Sequence, residues 1–190
     1  MNAAHRNACS FKGSIRSLLR SATTTTHAQV DERIAELIGQ GEVGYREFLR
    51  LSAAAIRPLE ESLVAANVEC ILPDWQERSR WAPLREDLAD LGMTTPAPAA
   101  PMPRLNGEAH QFGVLYVLEG SRLGAKVLIR RLLAMPGLSP LPALRYLRHG
   151  EGYPLWQTFL ERLEFSEAVR RSPTEAIAGA KTAFRFFLPT

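Results

Sequence analysis

A chain of 190 residues, 46% hydrophobic and 23% charged, has the balance of a globular protein long enough to bury one core. The net charge is only +3, with no dense Lys/Arg block, which argues against a dedicated nucleic-acid binder. No apolar run approaches the roughly 18–20 residues that span a bilayer, so no membrane association is expected.

The first ten residues carry no hydrophobic leader segment, and Cys9 and Cys70 fit neither a disulfide framework nor a metal motif. The expected compartment is therefore a reducing cytoplasm. Residues 1–13 read as a flexible tail and 14–190 as one all-α domain.

In chain order, a first helix is predicted from about Ser14 to Ile38, ended by Gly39-Gln-Gly41, with Leu19, Thr23, Val30, Ile34 and Leu37 on its inward stripe. A second covers about Tyr45 to Asn67, with Pro58 expected to kink it or interrupt its hydrogen bonding. Trp75 to Leu91 holds one or two shorter helices, with Pro83 in a first turn and Gly92 as the stop. Met93 to Pro103 is a stiff Pro/Ala connector. A long helix capped by Asn106 runs to about Met135, and prolines 136, 140 and 142 punctuate the loop after it. A shorter helix follows from Tyr153 to Phe165. The last opens on Ser172-Pro-Thr-Glu175, a capping box with proline at the first helical position. No alternating strand-like segment of useful length is present.

The long helix carries an anomaly. Gly120 and Gly124 lie four apart on one face, and each costs a helix interior roughly 1 kcal/mol relative to alanine. Bare backbone on one face serves either a tight helix crossing or the close approach of a flat or bulky ligand. Among the histidines, His5 falls in the tail, while His110 and His149 read as solvated. His27 lies mid-helix beside the apolar stripe. It reads as a buried histidine held by a hydrogen bond, or as a single axial ligand to a porphyrin iron. Asp31, one turn on, can fix its tautomer, and Arg20, two turns back, can pair with a ligand carboxylate. Glu60 and Glu61 read as solvated carboxylates. No paired Glu-x-x-His motifs, nucleophile elbow or phosphate loop is present.

Three stretches in this order resemble the heme oxygenase family. Leu19-Arg20-Ser21-Ala22-Thr23-Thr24-Thr25-Thr26-His27 is similar to that family's proximal helix. Leu115-Tyr116-Val117-Leu118-Glu119-Gly120-Ser121-Arg122-Leu123-Gly124 is similar to the distal helix of the bacterial branch found beside bacteriophytochromes. Ala180-Lys181-Thr182-Ala183-Phe184 resembles the stretch that closes the pocket. The likeness runs from about Ser14 to Phe187.

The resemblance implies an all-helical fold with heme, both cofactor and substrate, sandwiched between the first and the glycine-bearing helices. It implies cleavage of heme to biliverdin, CO and iron with O2 and an external reductase or ferredoxin-type donor, and a bacteriophytochrome as recipient of the biliverdin. It makes His27 the iron ligand and Asp31 its supporting carboxylate, and directs Arg20 to a propionate. Gly120, Ser121 and Gly124 become the distal wall, with Tyr116 and Phe184 lining the pocket. Ordered water near Ser121 then stands in for a dedicated side-chain acid.

The chain departs from the family in three places. Ala125 replaces the second glycine of the family's Gly-Gly pair, where it narrows the distal space or packs outward. Ser121 stands where mammalian relatives carry a carboxylate, and Tyr153 and Gln157 stand where they carry basic residues. Two other readings remain open: a heme carrier with little turnover, and a heme-free helical interaction module.

Overall fold

In a computed structural model that describes residues 11–135 and 143–188, every regular element is helical. His5, Cys9, most of the expected tail and the prolines at 136, 140 and 142 lie outside the described residues. Phe11, at the end of that tail, exchanges hydrogen bonds with Arg170 through its backbone N–H and C=O.

Helices α1 (Ile15–Gly39) and α2 (Gly41–Ala65) are joined at Gln40, with Gly41 at φ +69° making the turn. A left-handed backbone there favours glycine. The second helix thus begins four residues before the expected Tyr45. Pro58 sits inside α2 without ending it. A mid-helix proline lacks the N–H that would bond the carbonyl four residues earlier. That carbonyl, Ala54 O, instead accepts the N–H of Ala99 at 2.9 Å. The Pro/Ala connector is therefore pinned where the proline opened the helix.

A 3-10 turn (Val68–Cys70) leads to α3 (Trp75–Arg78) and α4 (Trp81–Asp90), the latter with Pro83 in its first turn. Gly92, at φ +64°, ends α4 as Met93 N–H bonds back to Leu88 O. Helix α5 (Glu108–Leu133) follows, capped at Gly107 rather than Asn106 and without a side-chain cap. The remaining elements are α6 (Arg145–Arg148), α7 (Leu155–Phe165), α8 (Glu167–Arg171) and α9 (Pro173–Phe187). Helices α6 and α8 were not anticipated, being single turns too short for a periodic signal. The capping box before α9 is not closed: Ser172 makes no side-chain cap bond. Glu175 instead points toward His110, 3.7 Å from Nδ1.

The core centres on the crossing of α5 with α9. At Gly113 an added Cβ would lie 2.0 Å from Ala176 O, and at Gly179 one would lie 2.0 Å from His110 O. These two glycines let the backbones meet, and Ala176, Ala180 and Ala183 continue the seam. Helix α1 packs on α2 and α9, and also touches α5 and α7.

Candidate functional site

The first half of α5 is buried almost throughout, up to Glu119; from Gly120 onward only Ala125 and Leu132 are buried. Gly120, Leu123, Gly124 and Val127 share one face by helical spacing, and Leu123 and Val127 are about half exposed. Among the described residues, a Cβ at Gly124 would meet nothing within 4 Å. One at Gly120 would meet only the rim of the Trp156 ring, at 3.7 Å. These glycines do not serve helix packing in this chain; Gly113 and Gly179 do. Ala125 packs into the core and neither occupies the open face nor points outward.

On α1, His27 is not the buried core histidine that its apolar neighbours allow: its side chain is 62% exposed. Its Nδ1 lies 2.8 Å from Asp31 Oδ2, so Nδ1–H donates to the carboxylate and Nε2 is left out of that bond. The imidazole meets the edge of the buried Phe184 ring on α9, with centroids 5.9 Å apart. His27, Asp31 and Phe184 are thus brought together. Arg20 is exposed, and its charge, with that of Arg16, acts on the half-buried Tyr116 phenol. Burial pushes that phenol up, and the two guanidiniums partly offset the rise. Tyr116 also packs against Trp156, with ring centroids 5.8 Å apart.

The Ser121 hydroxyl donates to Leu118 O at 2.8 Å and accepts from Arg80 Nη2 at 2.9 Å. It joins a buried polar network that the sequence did not disclose. Arg78, with no side-chain exposure, donates to Glu119 Oε2 (2.8 Å), Leu155 O and Thr158 Oγ1, and pairs with Asp74. Arg122 forks onto both oxygens of Glu119 at 2.9 and 3.0 Å and donates to the carbonyls of Arg78 and His149. Arg80 donates to Leu118 O and lies over the Tyr146 ring. Glu119 immediately precedes Gly120, so this network fixes the helix where the open face begins. One signal was available: Glu119 and Arg122, three apart, interrupt an otherwise apolar stretch of helix.

Three other expectations change. His149, expected to be solvated, is half-buried beside Arg122, with Nδ1 at 3.3 Å from Nη1. Burial and the nearby arginines push its imidazole down to about 4. His110 is buried on the α5–α9 seam. Glu60 is buried too, accepting from Ser79 Oγ and from the N–H groups of Arg80 and Trp81, which caps α4 from α2. Burial holds its carboxyl above the ordinary range, and these hydrogen bonds work against that rise. A cavity of about 320 Å³ between Asn106 and Glu175 includes none of the candidate residues. No cluster of three or more His, Cys, Asp or Glu suited to a metal occurs among the described residues. A lone imidazole is the ligand chemistry available at His27.

The fold and site define an all-helical protein that presents one oriented imidazole on its first helix and a bare-backbone face on a central one. No family model matches the chain. It is 36% identical over 157 residues to a heme oxygenase of Xanthomonas campestris pv. campestris, covering 80% of this chain and 93% of that protein. Its structure is similar to that of the heme oxygenase of Neisseria meningitidis, solved with NO and CO bound. The TM-score is 0.66 at 26% identity, over 92% of this chain and 88% of that one. The chain belongs to the heme oxygenase family, a family of enzymes. No helix among the described residues is long and apolar enough to cross a membrane.

Proposed function

We propose that residues 14–190 form one domain that binds heme between α1 and α5 and cleaves it to biliverdin, CO and iron. O2 is the oxidant, and a reductase or ferredoxin-type protein supplies the electrons. The working compartment is the cytoplasm, and the biliverdin serves a bacteriophytochrome, as the likeness of the distal stretch to that branch suggests. The observation that carries the reading is the open face of Gly120 and Gly124, two costly helix glycines that no packing among the described residues explains.

The residues fit the group. His27 Nε2 is the free ligand atom, because Asp31 engages Nδ1–H; this fixes the ring and its tautomer. The Phe184 edge limits rotation of the imidazole. Gly120 and Gly124 leave room for a flat macrocycle against backbone, and Leu123 and Val127 offer apolar surface beside it. Arg20 supplies a cation for a propionate, and Tyr116 lines the same end. When bound, heme supplies the iron at which oxygen is reduced and the meso carbon that is oxidised. Ser121 holds its own proton on Leu118 O while Arg80 donates to its oxygen. Proton delivery beside Gly120 is therefore assigned to water ordered by Ser121 rather than to a side-chain acid.

The test is spectroscopic. Purified protein mixed with hemin should give a histidine-ligated Soret band that decays to biliverdin absorption when a reductant is added in air. His27→Ala should abolish the ligated spectrum. A complex that survives reduction in air unchanged would favour a heme carrier, and no Soret shift at all would leave only a heme-free helical module.

A further inference from the structure

We propose that Arg16 is a second carboxylate-binding cation of the heme site. It would act with Arg20, one turn along α1, to draw the propionates to the corner formed by Tyr116 and Trp156. This rests on the heme reading above and goes beyond it in fixing the direction in which the ligand enters.

The Arg16 guanidinium lies over the Trp156 ring, 5.9 Å from its centroid. The same indole packs against Tyr116 and stacks on Phe159, each with centroids 5.8 Å apart, and Phe159 is fully buried. Its rim atoms are the nearest contacts to a Cβ at Gly120, at 3.7 Å. One aromatic ring therefore carries the cation on its face and borders the open glycine face with its edge.

The backbone of Arg16 is held as well. Its N–H and that of Ile15 donate to the Glu164 carboxylate at 2.9 and 3.0 Å. A planar guanidinium stacked on an aromatic ring loses little further freedom on taking a carboxylate, and its outer N–H fork stays available.

Neither arginine has an acidic partner within salt-bridge range among the described residues, so both guanidiniums are open to a ligand carboxylate. Two adjacent uncompensated cations on one helix face suit a dianionic ligand better than a neutral one. Their charges reach the same Tyr116 phenol, which places both at one end of the α5 face. Tyr153 and Gln157 offer no charge of this kind on the following segment.

The experiment is a Soret titration of the full chain with hemin and, separately, with hemin dimethyl ester, for wild type, Arg16→Gln and Arg16→Lys. Arg16→Gln should weaken hemin binding about 3–10-fold while leaving the ester within about twofold. Arg16→Lys, which keeps the charge, should restore most of the preference for hemin. Equal weakening for hemin and ester would overturn the inference and reduce Arg16 to a support for Trp156, and so would an Arg16→Gln protein that binds hemin like wild type. Absence of any Soret shift in the wild type would instead overturn the heme reading on which the inference stands.

Discussion

Four glycines divide into two pairs with opposite consequences for substitution. At Gly124 a methyl group meets no neighbour, so Gly124→Ala should stabilise the ligand-free protein by about 0.5–1 kcal/mol through helix propensity. Gly124→Leu should leave the fold intact and weaken hemin binding. Gly113→Ala drives a methyl to 2.0 Å from Ala176 O and should cost more than about 2 kcal/mol. Urea denaturation of the three variants reads the difference directly; equal effects at Gly113 and Gly124 would refute the division. The sequence marks all four as glycine and separates none of them. The face of Gly120 and Gly124 was legible as an energetic oddity because both lie in one helix. Gly113, in the same helix, carries the same cost, but its role and that of Gly179 were not legible, since each is explained only by a backbone contact from a distant segment. His27 and Asp31 were legible for the same local reason, being one turn apart. The exposure of His27 was not, because it depends on where α9 delivers Phe184.

At the scale of elements, helix ends and helix orientation are set by charges from elsewhere in the chain. Glu60 of α2 caps α4, the buried Asp87 of α4 accepts the N–H groups of Arg145 and Tyr146 at α6, and Glu164 of α7 caps α1. The partners of such caps lie 20 to 149 residues away, beyond the reach of a local motif; separately, the Ser172 box stays open and Asn106 yields to Gly107. The Arg78–Glu119–Arg122 cluster orients α5 in the same non-local way. Glu119→Ala should cost about 3–5 kcal/mol in urea denaturation, because it removes the carboxylate shared by two buried guanidiniums, leaving Arg122 without an acidic partner and Arg78 with Asp74 alone. Arg78→Met should cost less, since Arg122 still forks onto Glu119. A smaller loss for Glu119→Ala than for Arg78→Met would contradict this ordering.

For the whole molecule, the half-buried His149 couples folding to pH. In the unfolded chain its imidazole titrates near the ordinary 6.5, and in the folded protein at about 4. Between those values the unfolded state binds more protons, so stability falls as pH is lowered through that window and is unaffected by this group above it. Wild type should therefore lose thermal stability from pH 6.5 toward 4 more steeply than His149→Asn, whose amide oxygen can still accept from Arg122. Parallel Tm–pH profiles would eliminate the assignment. Helix content and the order of the long helices were readable from periodicity. How α3, α4, α6 and α8 lock the centre was not, because turns this short carry no pattern of their own.

The capping of α1 by Glu164 also bears on synthesis. The helix that carries His27 is made before every helix it packs on, buries only Ile15, Leu19, Thr23 and Ile38 in the finished fold, and donates two of its first N–H groups to a carboxylate some 149 residues later. Its seat on α9 arrives later still. Domains form as their segments emerge. A chain made only as far as α8 thus exposes an imidazole without the Phe184 edge beside it, and the surroundings of His27 are completed only once α9 has been made.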